Sequence, residues 1–207
     1  MASAMAAFAA SPGIAAQLAG HIDKLLSRVT PSHLGRYAML QGGLAARDVA
    51  CDREYQSVFK GFYKMGRRDE GWYAYYFGLL QAAKADCTVS FRGVLERIYA
   101  DRAQVEGSFS SKLVATIRPD MPVYDRHVRD NLALLAPPSS WPPARRMAAM
   151  ISLYGELEEK VAALVGDPIF AATLRPRFDA RHPAYAHLTD VKKLDLLLWQ
   201  HRRTRTR

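Results

Sequence analysis

A chain of 207 residues and 23.1 kDa, 49% apolar and 24% charged, can build one substantial core or two small lobes sharing one, and is too apolar for a disordered polymer. Its net charge of +9 and sequence pI near 9.7 favour a polyanionic partner, nucleic acid or an anionic membrane. Two cysteines, Cys51 and Cys87, stand in unrelated contexts, which excludes a zinc motif and a disulfide framework and fits a reducing cytoplasm.

The first twenty residues carry no Lys or Arg, unlike the charged start of a secretory signal, and no apolar run reaches the roughly 18 residues of a membrane span. A soluble, cytoplasmic protein is expected. Ile14 to Val29 places Ile14, Leu18, Ile22, Leu25 and Leu26 near helical spacing. Pro31 closes that helix, a short one follows through Leu40, and Gly42-Gly43 marks a break or a close approach of backbones. From Asp52 to Arg68, Tyr55, Phe59, Phe62 and Tyr63 form an aromatic helix face. The segment from Trp72 to Leu80 is apolar nearly all round and reads as a central helix. Ser90 starts another, with Phe91, Val94, Leu95 and Ile98 on one side.

After a proline-punctuated stretch, a helix opens at Asp125 and runs to Leu135. The run 136–143, Ala-Pro-Pro-Ser-Ser-Trp-Pro-Pro, is a loop and the expected hinge if the single domain 1–207 divides into two lobes. Met147 to Val165 reads as a long helix stopped by Gly166. Asp167 can cap a short helix before an irregular basic region from Arg175 to His187. Thr189 or Asp190 caps a last helix whose inner face is Val191, Leu194, Leu197 and Leu198. A basic tail, 201–207, follows. No segment alternates with period two and no repeat is present, so the fold class is all-α.

The stretch from Val105 to Arg129 organises the chain. Ser108 or Ser110 is expected to cap a helix that Pro119 ends, and Pro122 pushes Met121 toward extended backbone. From Lys112 to Arg118 that helix rises about 10 Å. Four extended residues, Met121 to Tyr124, travel back about 13 Å. Asp125 therefore returns to the neighbourhood of Lys112, and an amine meets a carboxylate at two helix starts.

Residues 122–129, Pro-Val-Tyr-Asp-Arg-His-Val-Arg, resemble the Pro-Val-Asp-x-His-Val signature of the helix-hairpin-helix (HhH-GPD) DNA glycosylases, and Lys112 sits where bifunctional members carry a catalytic lysine. The likeness spans Gly107 to Arg129. It departs from the family pattern by an inserted Phe109, by Tyr124 before the aspartate and by a short Lys-to-Asp interval. The resemblance implies a two-lobed helical fold acting on DNA. It makes Asp125 the carboxylate that stabilises a cationic sugar and Lys112 the nucleophile at its anomeric carbon.

Each of these residues also has a plainer reading: Asp125 as an N-cap, Lys112 as a solvated or phosphate-binding lysine, His127 as packing. To attack, Lys112 must be neutral, which requires burial or positive neighbours such as Arg118, Arg126 and Arg129. Tyr124, Trp72 and Tyr76 are the candidates to stack against an extruded base. Arg118, Arg126, Arg129, Lys192, Lys193, Arg202 and Arg203 are the candidates to hold the DNA backbone. No metal-ligand set or cofactor motif is present, so the expected chemistry needs no cofactor. The alternatives are a non-catalytic helical module that binds nucleic acid and an interaction protein whose basic tail meets an acidic partner.

Overall fold

Helix starts follow the capping residues. In the computed structural model, which describes residues 13–201, the side chains of Asp52, Asp69, Ser90, Asp125 and Thr189 each accept a backbone N–H from the first turn of the helix that follows. Those N–H groups have no partner within the helix, so the caps fix where each begins. The described residues are all-α: α1 (Ile14–Gly20), α2 (Ile22–Arg28), α3 (Pro31–Ala46), α4 (Arg53–Phe62), α5 (Glu70–Ala83), α6 (Phe91–Arg102), α7 (Gly107–Ile117), α8 (Arg126–Asn131), α9 (Pro143–Val165), α10 (Arg175–Arg181) and α11 (Asp190–Gln200). A π-helical turn, Phe170–Leu174, leads into α10, and a 3-10 turn, Pro183–Tyr185, follows it. No strand occurs among these residues.

Several boundaries differ from the sequence expectation. The first helix divides at His21, whose backbone leaves the helical region and whose Nδ1 lies 2.9 Å from the Gln17 carbonyl oxygen. Gly42 and Gly43 do not break a helix but lie inside α3. Gly43 is a close approach instead, because a Cβ there would come within 3.3 Å of the Tyr55 ring on α4. Neither Ser108 nor Ser110 caps α7, which begins at Gly107 without a side-chain cap. Ser110 donates back to the Glu106 carbonyl at 2.9 Å, as serines inside helices do,. The basic region from Arg175 is helical through Arg181. The helix opened by Asp125 stops at Asn131, four residues short of Leu135.

The buried side chains form two clusters. One gathers both flanks of the chain: Leu18, Leu25 and Leu34 pack with Tyr124, Val128 and the inner faces of α9, α10 and α11. The other takes the middle, from Tyr37 to Val123, and holds the aromatic face of α4 with Trp72, Tyr76 and Phe77 of α5. Helix α6 serves both, sending Phe91 onto the Tyr154 ring of α9 at 3.9 Å while Val94 and Ile98 face the middle cluster. The chain therefore passes between clusters at residues 35–36 and again between Val123 and Tyr124. The loop 136–143, expected as the hinge, joins α8 and α9, which belong to the same cluster.

Helix α7 lies at the seam. Phe109, Leu113 and Val114 are buried in the middle cluster, each stabilising the fold by about 1.5–3 kcal/mol. At its first residue, Gly107, a Cβ would fall 2.6 Å from Met150 Sδ on α9, so a side chain there would require the methionine to move.

Three helix ends turn through left-handed backbone at residues other than glycine: Lys64 (φ 48°) after α4, Ala103 (φ 53°) after α6 and Ala133 (φ 54°) after α8. None of the described glycines occupies such a position. L-residues are strained there and glycine is not. Ala103→Gly and Ala133→Gly should therefore each raise stability by about 0.5–1 kcal/mol. Urea unfolding checks this, and an unchanged or lowered midpoint contradicts it.

Candidate active site

The backbone between α7 and α8 is folded back by its prolines and held by a serine. Ser111 Oγ accepts the Tyr124 N–H at 3.0 Å in a buried position, and donates to the Ser108 carbonyl at 3.1 Å. Ser111 precedes Lys112 and Tyr124 precedes Asp125, so this one bond ties together the residues before the two candidate groups. Asp125 caps α8 through Oδ1, which accepts the His127 N–H at 2.8 Å.

Lys112 and Asp125 line one cavity, as the return path predicts. Its enclosed space is about 30 Å³, and the open solvent at its mouth brings this to about 370 Å³. A third ionisable group, Asp195 of α11, joins them, and the other walls are His33, Phe62, Tyr63, Val123, Leu196 and Trp199. These walls come from both clusters and from α3, α4, α7, α8 and α11. The cavity is lined by apolar and aromatic side chains together with an amine and two carboxylates.

Lys112 is 5% exposed, and among the described residues no carboxylate lies within 4 Å of its Nζ. Burial holds its pKa below the ordinary lysine value, against the opposing pull of Asp125, Asp195 and Glu106. The arginines expected to lower it, Arg118, Arg126 and Arg129, are not the cause. Burial pushes Asp195 up, helped by the Asp125 charge and opposed by Lys192 and the Val123 N–H. Burial also acts to lower Lys192, but Asp195 at 3.0 Å and the Tyr63 and Tyr37 oxygens outweigh it, so its pKa is raised and it stays cationic. His33 is lowered to about 4 by burial and by the charges of Lys64, Arg36 and Lys192. A neutral imidazole therefore lines the cavity at neutral pH.

The remaining sequence candidates are placed differently. Trp72 and Tyr76 are shut inside the middle cluster, where Trp72 Nε1 donates to Gln104 and Tyr76 Oη to the Phe109 carbonyl. Tyr124 is buried in the other cluster. None of the three lines the cavity; Phe62, Tyr63 and Trp199 supply its aromatic walls. Lys192 and Lys193, read as backbone-binding residues, are 0% and 3% exposed. They are consumed by Asp195 at 3.0 Å and Asp179 at 2.7 Å, because a lysine inside a core requires a carboxylate partner. Arg118 and Arg129 are partly buried and pair with Asp120 and Asp130, while Arg126 is exposed. Arg202 and Arg203 lie outside the described residues, as does the tail from 202 to 207.

No protein-family model matches this chain, and no curated protein or solved structure matches it significantly. Among the described residues no helix is long and apolar enough to cross a membrane, and no group of three or more His, Cys, Asp or Glu is placed to hold a metal ion.

Ser111→Ala removes the acceptor for the buried Tyr124 N–H. It should cost about 1–3 kcal/mol of stability, and a urea midpoint equal to the wild type would dismiss the tie. The His33 pKa sets a pH dependence of defined sign. In the unfolded chain the imidazole takes its proton near 6.5, whereas in the fold it waits until about 4. The unfolded state thus binds more protons between these values, so the contribution is intact above 6.5 and is lost as pH falls toward 4. Thermal midpoints of His33→Gln should fall less between pH 6.5 and 5 than those of the wild type. Equal slopes would show that His33 is not the group responsible.

Proposed function

We propose that the protein is a DNA N-glycosylase of the HhH-GPD kind, which removes a damaged or modified base by cleaving its N-glycosidic bond. The observation that carries the reading is the cavity that joins Lys112, Asp125 and an aromatic wall. Supporting it are the Asp-Arg-His-Val segment at the start of α8, the pairing of α6 with α7 across the four residues 103–106, and the basic charge.

The chemistry follows from what the groups can do. A base extruded from the duplex needs an apolar, aromatic slot, which Phe62, Tyr63 and Trp199 line. Breaking the bond to the sugar leaves the electron pair on the base and builds positive charge at the anomeric carbon. The Asp125 carboxylate, half-buried and fixed at the start of α8, stabilises that charge,. Lys112, buried and depressed in pKa, attacks the same carbon as a neutral amine. Its surplus proton passes to the departing base, the ring oxygen then leaves the carbon with the bonding pair and takes a proton from water, and an iminium joins lysine to sugar. Water hydrolyses the iminium and returns the amine. A non-catalytic module would be served by a lysine in open solvent, and the burial of Lys112 favours the enzyme.

Asp125→Asn separates charge from capping, since Asn caps a helix as well as Asp does. The variant should keep its stability and DNA affinity while base release falls on the order of a hundredfold or more. Lys112→Gln should abolish any adduct trapped by borohydride. Mass spectrometry of free bases, released from DNA with a panel of damaged and modified bases, reads the first result. Undiminished release in Asp125→Asn would remove the electrostatic role. No release from any substrate by the wild type, with salt-sensitive binding intact, would assign the chain to the binding module instead.

A further inference from the structure

A second concavity of about 320 Å³ opens beside the cavity and shares His33, Phe62 and Trp199 with it as common walls. Its rim carries Arg28, Arg36 and Lys64. Among the described residues none of the three has a carboxylate within 4 Å, whereas Arg53 of α4 and Arg92 and Arg97 of α6 are each paired with one. Cations gathered at one opening, with no carboxylate within 4 Å among the described residues, form a local positive field,. We propose that this vestibule holds the phosphodiesters on either side of the nucleotide whose base enters the aromatic cavity. For the identity of that strand the proposal rests on the base-excision reading.

Three observations support it. Arg28 is held in place without being neutralised: its guanidinium donates to the Gln200 carbonyl at 3.1 Å, and Gln200 Nε2 donates back to the Arg28 carbonyl at 3.3 Å. The second observation is a cost in the backbone. Lys64 occupies the left-handed position of the turn that ends α4, where the Met65 N–H returns to the Lys60 carbonyl at 3.1 Å. Glycine fills that position at lower cost. A lysine there is unfavourable for the turn and gains meaning from what its ammonium meets. Third, the charges of Lys64 and Arg36 reach the wall shared by the two spaces, where both depress the protonation of His33.

The chemistry of the two spaces taken together selects the ligand. An acidic peptide would satisfy the cations but would leave the adjoining aromatic slot unused. A nucleotide strand brings an anion and a planar ring on one scaffold, and so fills both. Three cations facing two phosphates leave an excess of positive charge, which suits a strand that is bent to turn a base out.

The test is the salt dependence of binding to a fluorescein-labelled DNA duplex, read by anisotropy. Neutralising the vestibule (Arg28→Gln with Arg36→Gln and Lys64→Gln) should weaken binding on the order of tenfold or more. It should also lower the slope of log K against log salt by about 2, the value for two phosphate contacts. Removing the same charge elsewhere, with Arg53→Gln, Arg92→Gln and Arg97→Gln, should leave the slope unchanged. Equal losses from both triple variants would reduce the effect to net charge and overturn the proposal. Lys64→Gly should raise the urea midpoint while weakening binding severalfold, and a gain in stability with unchanged binding also overturns it.

Ring-proton NMR of His33 reads the position directly, because duplex in the vestibule should raise its pKa. If inorganic phosphate raises it while the duplex does not bind, the site takes free anions and the assignment to nucleic acid fails. Base release is followed separately. A vestibule variant that loses affinity, beside a wild type that releases no base, would leave this site standing and remove the excision reading. Base release with both triple variants binding alike would do the reverse.

Discussion

The hydrogen bond from the Tyr124 N–H to Ser111 Oγ is the constraint on which the candidate site depends. It is buried, 3.0 Å long, and spans thirteen residues of chain. Prolines 119 and 122 bend the backbone out of α7 and toward α8, but they leave the register between the two helices free. The serine fixes that register. Lys112 follows one partner and Asp125 the other, so amine and carboxylate are set before any contact between their own side chains. The arrangement separates the duties of neighbouring residues: Ser111 and Tyr124 carry structure, while Lys112 and Asp125 face the cavity.

Around this tie the fold brings five helices to one place. The flanks of the chain form one cluster and its middle forms the other, with α6 and α7 between them. The cavity opens at that seam, and neither cluster contains it alone. Helix α11 reaches it with Asp195, whose charge is balanced by Lys192 three residues earlier. A buried ion pair of this kind contributes little net stability but is costly to break on one side. It also keeps a second carboxylate in the cavity beside Asp125.

Much of the fold is legible in the sequence because helix caps and apolar spacing are local. Asp52, Ser90, Asp125 and Thr189 mark helix starts by a chemistry that needs only the next three residues. The misread boundaries have local causes of a subtler kind. Gly43 serves a neighbouring ring and leaves its helix intact, and α8 ends at a left-handed alanine where glycine is the usual sign. The placing of Lys112 and Asp125 at one cavity is legible for the same reason as the caps: the connecting path is short and its prolines restrict it.

The rest of the site was not readable, because it depends on tertiary distance. His33, Phe62 and Trp199 stand far apart in the chain and meet only at the seam. Lys192 and Lys193 look like a basic surface, since lysine is seldom buried. The signal against that reading was Asp195, which sits with Lys192 at i,i+3 amid the leucines of α11. Trp72 and Tyr76 have the ring chemistry of a base pocket, yet they stand on the buried face of α5, whose other face leaves Ala74 exposed and Tyr73 and Tyr75 half-buried. The rim cations Arg28, Arg36 and Lys64 belong to two helices and the turn after a third, and no run of basic residues announces them.

One of the cavity walls gives the chain a built-in optical probe. Of its three tryptophans, Trp72 is shut in the middle cluster and Trp141 lies against the Arg145 guanidinium, 3.7 Å from the ring centre. Trp199 alone lines the cavity, between the His33 ring at 5.8 Å and the His127 ring at 6.0 Å. A planar ligand that enters displaces water from one indole and leaves the other two untouched. Occupancy therefore registers in the intrinsic fluorescence of the unmodified protein, and Trp199→Phe gives the blank.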